Sequence, residues 1–262
     1  MDGVIIVNKP QGWTSFDVVA KIRNLSKVKK VGHSGTLDPM ATGVLPVFLG
    51  RATKSIQYFL DGDKGYTAEL TLGVKTETGD ATGKILTPAL LSICDGEGNE
   101  TVNKDCDPSP RSGEGCRVER GGMRIEIEKI LHKYTGEIEQ VPPMYSAVKV
   151  DGQRLYKLAR QGIEVERKPR KITIHSIKLI KYAYPLVEIE VLCSKGTYIR
   201  QLAVDIGDDL GCGAHLSKLE RTYAHPFRIS QALSMDTIIT LAKIGKLDTI
   251  VIPVESIMTN DQ

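Results

Sequence analysis

The chain holds no apolar run long enough to cross a membrane, which takes about 20 residues. Its N-terminus reads Met1-Asp2-Gly3 and then only four apolar residues, too few for the core of a secretory signal. Its five cysteines include no CxxC pair, which removes the common thiol redox motif and half of many zinc sites. Cys212 and His215 have a ligand-like spacing, but no second pair of ligands accompanies them. Reduced cysteines in a cytoplasmic protein without a metal are expected. The signatures of several frequent catalysts are missing too. There is no GxGxxG after a strand-like run, no GxxxxGK followed by Ser or Thr, and no HExxH. No serine sits in a GxSxG elbow. These absences argue against common nucleotide-dependent transferases, zinc hydrolases and triad hydrolases. Net charge is only +3 over 262 residues, too small to announce a nucleic-acid partner by itself.

What is present is an ordinary globular balance. Hydrophobic residues make up 41% and charged residues 26%, enough to fill a sizeable core. The charge is unevenly placed. Residues 1–60 hold eight Lys/Arg against three Asp/Glu, and residues 141–182 hold ten, including Arg167, Lys168, Arg170 and Lys171, against three. Folding can bring two such segments onto one phosphate-binding face, although either run alone reads as solvated surface. Residues 88–122 break the pattern. They are rich in Gly, Ser, Asp, Glu and Pro, with seven acids, four bases and three of the cysteines, Cys94, Cys106 and Cys116. So little apolar surface does not offset the entropy of ordering, so a mobile surface insertion is expected there.

Around that segment strands and helices are mixed. "GVIIVNKP" reads as a strand. "TSFDVVAKIRNLSK" reads as a helix capped by Ser15, with Val18, Val19, Ile22 and Leu25 on one face. "TKSIQYFL" predicts a short helix and "GYTAELTLGV" a strand. After the insertion come a helix, a Pro-Pro break, a turn at Asp151-Gly152, and a helix with Leu155, Leu158 and Ala159 inward. "KITIHSIKLIKYAYPLVEIEVLCSKG" gives two β-rich runs, and a helix follows from Thr197 to Gly211. A helix from about Met235 and a strand "TIVIPV" close the chain. The order lacks the regular alternation of a doubly wound sheet. It predicts an α+β fold, a mixed and largely antiparallel sheet flanked by helices.

One loop stands out chemically. "GHSGTLDPMATGVLPV", residues 32 to 47, carries a single acid, Asp38. Glycines at 32, 35 and 43 permit close approach of backbone, and Pro39 restricts the residue before it. A carboxylate held on a stiff loop suits catalysis, while Asp-Pro is also common in plain turns. Arg200 in "GTYIRQL" is a candidate ion-pair partner or an ordinary surface arginine. Tyr66 and Tyr198 can stack on an exposed base, or fill half-buried core positions. His33, alone in its loop, says little.

Together these residues resemble the bacterial TruB family of tRNA pseudouridine synthases. The resemblance rests on "VNKPQGWTSFDVV", "VGHSGTLDPMATGVLPV", "GYTAELTLG", "TGDATG", "GEIEQVPPMYSAVKVDGQRLYKLARQG", "CSKGTYIRQLAVDIG" and "HLSKLERT". It implies the pseudouridine synthase fold and isomerisation of uridine 55, in the T loop of tRNA, to pseudouridine. It implies no cofactor, no metal, no membrane and no obligate protein partner, so a cytoplasmic monomer acting on the tRNA T arm is expected. The family's catalytic aspartate falls on Asp38, as nucleophile or base. Its base-stacking tyrosine falls on Tyr66, its carboxylate-pairing arginine on Arg200, and its uridine-pocket residues on Tyr198 and Leu219. The histidine that fills the gap left by flipped bases falls on His33. A catalytic domain over 1–230 and a short extension over 231–262 are expected, with the family's C-terminal RNA-binding domain absent or vestigial. The rival within the same chemistry is a guide-RNA-dependent synthase of the dyskerin type. The rival from another class is a non-catalytic RNA-folding protein.

Overall fold

The structure is a computed structural model that describes residues 1–88, 120–146, 148–150 and 152–258. The insertion expected over 88–122 lies outside the described residues apart from its ends, as do Cys94, Cys106, Cys116 and Asp151. The first β-branched run forms strand β1 (Gly3–Lys9). Ile5 and Val7 face the larger core and Val4 and Ile6 a smaller one, the period of two that a strand imposes. Helix α1 (Ser15–Ser26) turns Val18, Val19 and Ile22 inward. Its cap differs from the expected Ser15. Thr14 is the N-cap and closes a capping box with Asp17, while Ser15, the first helical residue, is buried.

Strands β2 (Val31–His33) and β3 (Thr42–Leu49) pair antiparallel. A 3-10 turn over Gly50–Ser55 and a short helix α2 (Ile56–Leu60) replace the single helix expected there. Then come β4 (Lys64–Leu72), the hairpin of β5 (Val74–Thr76) and β6 (Ile85–Pro88), helix α3 (Arg120–Lys133) and β7 (Gly136–Gln140). A small hairpin, β8 (Lys149–Val150) with β9 (Gln153–Arg154), leads into α4 (Leu155–Arg160). The long strands β10 (Arg170–Ala183) and β11 (Leu186–Cys193) precede α5 (Ile199–Asp209), whose N-cap is Tyr198. The chain ends with β12 (Ala214–Ala224), β13 (Phe227–Arg228), β14 (Leu233–Ser234), α6 (Met235–Lys243) and α7 (Val254–Met258).

One sheet organises the molecule, in the order β14-β1-β3-β12-β4-β11-β10-β7. Only the β1/β14 and β3/β12 contacts in that path are parallel; the other neighbours run antiparallel. Helices α1, α3, α5 and α6 all send side chains into the larger core, so they cover one face. The fold is therefore α+β with a mixed, largely antiparallel sheet flanked by helices. The smaller core, with Phe48, Phe59 and Phe227 in a tilted stack, lies on the other side of β1 and β3.

Two elements depart from the sequence reading. "TIVIPV" is not a strand: Leu247–Ile250 is a 3-10 turn, and Ile252 makes only an isolated bridge to Val4. Strand β12, by contrast, gave no strand signal, yet it joins β3 to β4 at the centre of the sheet. Its register slips between Leu216 and Lys218 and again between Arg221 and Tyr223. Each irregularity inserts a residue and resets the alternation. The buried residues become Ala214, Leu216, Leu219, Arg221 and Ala224, a spacing that mixes steps of two and three and resembles no single period. Where β12 meets β3, Arg221 stands beside Gly43. A Cβ on Gly43 would lie 2.2 Å from the Arg221 carbonyl oxygen, and Gly43 has φ +102°. Only glycine lets the two strands approach so closely there.

Candidate active site

The loop between β2 and β3 is fastened at three residues by four groups. Arg221 Nη2 donates to the Gly35 carbonyl at 3.1 Å. Ser15 Oγ accepts from the Leu37 amide at 2.9 Å and donates to its carbonyl at 3.2 Å. This pairing explains why Ser15 is buried instead of capping its helix. Lys9 Nζ donates to the Pro39 carbonyl at 3.3 Å, and also to those of Pro10 and Trp13. The Gly12 amide bonds the Pro39 carbonyl too, at 2.8 Å. Asp38 therefore sits between anchored neighbours, with its side chain 40% exposed.

Its carboxylate meets the first turn of α5. Arg200 Nε lies 2.9 Å from Asp38 Oδ2, and the arginine side chain is 7% exposed. The other guanidinium nitrogens are occupied as well. Nη1 lies 3.5 Å from Asp80 Oδ2 and donates to the Thr78 carbonyl at 3.2 Å. Nη2 donates to the Tyr145 carbonyl at 2.8 Å. Asp80 is fixed in turn, since its Oδ1 accepts from the Thr82 amide, the Thr82 hydroxyl and the Thr78 hydroxyl at 2.6–2.9 Å. The start of α5 is set by Gln140 at the end of β7. Its side-chain amide donates to the Tyr198 carbonyl at 3.1 Å and accepts from the Tyr198 amide at 2.8 Å. A guanidinium bound on every side has one orientation, and it presents Asp38 to the space in front of it.

That space is a cavity of about 500 Å³. Asp38, Tyr66, Tyr198, Arg200 and Leu219 all line it, so five of the six residues singled out in the sequence converge, from a loop, two strands and a helix. His33 does not line it. It is half-buried near the base of the loop, its Nδ1 has no hydrogen-bond partner, and burial pushes its pKa down, with Arg221 adding to the effect. The ring is therefore neutral at physiological pH.

The sequence reading missed other residues of the wall: Lys64, Tyr145, Arg154, Lys195 and Arg221. Five cations and one carboxylate line the cavity. Lys195 is paired with Asp61 at 2.9 Å. Lys64, 8% exposed, donates to the Leu60 and Gly62 carbonyls, and burial lowers its pKa. Tyr66 is half-buried, and burial pushes its phenol up while the charge and hydrogen bond of Arg221 pull the other way. Arg154 and Arg160 stand over the Tyr156 ring, 6.0 and 5.6 Å from its centre. In the basic run over 141–182, Arg167 contacts Glu164 and Lys171 contacts Glu137, so the cation it brings to the cavity is Arg154. Signals for Arg154 and Tyr156 were present in "DGQRLYKLARQG", which the resemblance covered without assigning them. His215 Nδ1 contacts the Val74 carbonyl at 2.9 Å, and among the described residues no three His, Cys, Asp or Glu side chains are grouped to hold a metal ion.

The sequence model of the TruB family pseudouridylate synthase N-terminal domain matches residues 23–105 and 113–199. That of the tRNA pseudouridylate synthase B C-terminal domain matches residues 200–259. The second match begins at Arg200 and takes in β12, so the two matched regions share one sheet and one cavity. The protein named tRNA pseudouridine synthase B of Francisella philomiragia is 45% identical over 95% of this chain and 74% of its own length. Those of Dehalococcoides mccartyi and Clostridium kluyveri are 46% and 48% identical, over 98% and 90% of this chain and 76% and 72% of theirs. Among solved structures, the chain resembles one in a Cbf5-Nop10-Gar1 complex with TM-score 0.68 and 28% identity, over 97% of this chain and 60% of that one. It also resembles one in an H/ACA RNP bound to a substrate RNA containing 2′-deoxyuridine, with TM-score 0.63 and 26% identity, over 94% and 55%. A fastened aspartate, its arginine partner and matches along nearly the whole chain place the protein in the TruB family of tRNA pseudouridine synthases, which are isomerases.

Proposed function

We propose that the protein converts uridine 55 in the T loop of tRNA to pseudouridine, with Asp38 acting on the sugar of a flipped-out uridine. The observation that carries this reading is the 2.9 Å pair between Asp38 and Arg200 inside a cavity that also holds Tyr66, Tyr198 and Leu219. The target base must first leave its stack, at a cost of a few kcal/mol. An aromatic face such as Tyr66 returns part of that by stacking. The N1–C1′ bond then breaks, the uracil turns, and a C5–C1′ bond forms. Net, a proton leaves C5 and one is gained at N1, so the reaction consumes no co-reactant. Asp38 either captures C1′ as an ester or removes the C2′ proton. In both routes it is needed as a carboxylate, and Arg200 supplies the counter-charge. His33, neutral and outside the cavity wall, suits a role in packing against RNA rather than in moving protons. Tyr198 and Leu219 bound the base, and the cations at the rim hold phosphates, so binding weakens with added salt.

In this reading the chain acts alone. The solved relatives sit in complexes with other proteins and RNA, and a guide-dependent activity is the second reading that this observation favours. A bare T-arm transcript separates the two. The expected result is pseudouridine at position 55 without any guide, and a loss of more than about a thousandfold for Asp38→Asn. Modification only when a guide RNA is added reverses the choice. Full activity of Asp38→Asn removes Asp38 from the chemistry.

A further inference from the structure

Arg221 is the bulkiest of the fully buried side chains, and it lines the cavity. Its Nε donates to the Val44 carbonyl at 2.8 Å and its Nη2 to the Gly35 carbonyl at 3.1 Å. The Tyr66 phenol lies near enough that the guanidinium charge pulls its pKa down against the effect of burial. Among the described residues no carboxylate pairs with the guanidinium. Its charge works against protonation of Lys9, His33 and Lys64. Two carbonyls and a phenol are poor compensation for a buried cation. A brace between β12, β3 and the loop calls for N–H donors but not for a net charge. The arrangement has a charge and lacks its opposite.

The reaction supplies one. When N1–C1′ breaks heterolytically, the electron pair stays with N1. The detached uracil then carries a negative charge shared among N1, O2 and O4. That charge persists until C5 attacks C1′ and the C5 proton is lost as N1 gains one. Arg200 cannot answer it, since Asp38, Asp80 and two carbonyls already occupy its nitrogens. We infer that Arg221 is the counter-ion of the detached uracil, with its charge presented beside Tyr66, on whose ring the base stacks. The inference rests on the proposed function, because it needs the uridine against Tyr66. A fixed cation that is itself buried stabilises a charge that exists only after bond cleavage.

The test compares two leaving bases. Single-turnover loss of the N-glycosidic bond is measured on T-arm RNA carrying uridine or 5-fluorouridine at the target position. Fluorine withdraws electrons and stabilises the detached anion without help from the protein. For Arg221→Gln the expected loss on uridine is about a hundredfold or more, and on 5-fluorouridine at least tenfold less. A purely structural role loosens Gly35 and slows both substrates equally, which overturns the inference, as does an unchanged rate on uridine. Melting shows whether the variant folds. If it does not, Arg221→Lys takes its place. Lys keeps the charge, so a loss under tenfold on uridine is expected, and a larger loss equal on both substrates again overturns the inference. Wild-type protein that makes no pseudouridine in tRNA refutes the proposed function itself. An active wild type whose variants slow both substrates alike refutes only the counter-ion.

Discussion

Two arginines line the same cavity and are held in opposite ways. Arg200 enters from the first turn of a helix and meets two carboxylates and two carbonyls. Arg221 enters from the middle of a strand and meets two carbonyls and a phenol. A buried ion pair contributes little net stability but makes removal of either partner expensive. Arg200 therefore orients Asp38 before substrate arrives, whereas Arg221 waits with its charge unanswered. The same cavity thus separates the work of aiming a carboxylate from the work of receiving an anion.

The sharpest way to break this contrast is to remove the paired arginine. Arg200→Gln leaves Asp80 buried without its cation and frees Asp38 to turn. A stability loss of about 3–5 kcal/mol is expected from the uncompensated charge. A rate loss of at least about a hundredfold is expected from misplacement of the carboxylate. Thermal melting and single-turnover assays read the two separately. Unlike Arg221→Gln, this variant should slow uridine and 5-fluorouridine alike, because it disturbs the aim of Asp38 and not the fate of the base. A strong difference between the two substrates would merge the two roles.

Asp80→Asn asks how much of the aim comes from behind. Asparagine can still accept from Thr82 and Thr78 through Oδ1, but it presents no charge to Arg200 Nη1, 3.5 Å away. A hydrogen bond to a charged group is worth about 1.5–3 kcal/mol, and a loss within that range is expected in melting. The rate is expected to drop about tenfold, equivalent to about 1.4 kcal/mol of barrier, with KM unchanged. A fall in KM-dependent binding alone would move Asp80 from positioning to substrate contact.

How much of this was legible in the sequence differs between the two arginines. Arg200 lies at the start of a run that reads as a helix, so its element could be named; its pairing with Asp38 stood beside an ordinary surface position until the family resemblance implied it. The fold class followed from runs such as β11, where buried residues alternate with more exposed ones, and β1, which is apolar on both faces. Arg221 was invisible because β12 carries two register slips, which scatter its buried residues over unequal steps. A charged residue inside such a pattern reads as surface. Asp80 sat in "TGDATG", which reads as a polar turn, and only the folded chain brings that turn against α5. Ser15 shows the same limit. Its type and position fit a cap, and Leu37, twenty-two positions away, decided otherwise. Local signals give elements; pairings across the sheet and between loops come from the folded core.

Lys9 refines the comparison, because it is the lysine counterpart of Arg221. It is fully buried, donates only to carbonyls, and fixes the loop through Pro39. Unlike an arginine, it can discharge. Burial pulls its pKa from 10.5 down to about 8, Asp38 opposing the shift and Arg221 adding to it. Above pH 8 the folded protein therefore holds a neutral Lys9, while an unfolded lysine keeps its proton up to its ordinary value. Between about 8 and 10.5 the unfolded chain binds more protons, so this group's contribution to stability rises with pH across that window. Activity should move the other way. As the ammonium is lost, the carbonyl of Pro39 loses its charged donor, the residue after Asp38 loosens, and the single-turnover rate falls as pH climbs through 8. Lys9→Arg stays charged throughout that range, so its rate at neutral pH should be lower by a few fold, for want of fit, but flat to pH 9. Parallel declines in wild type and Lys9→Arg would show that another group sets the profile, and that the loop does not need the Lys9 charge.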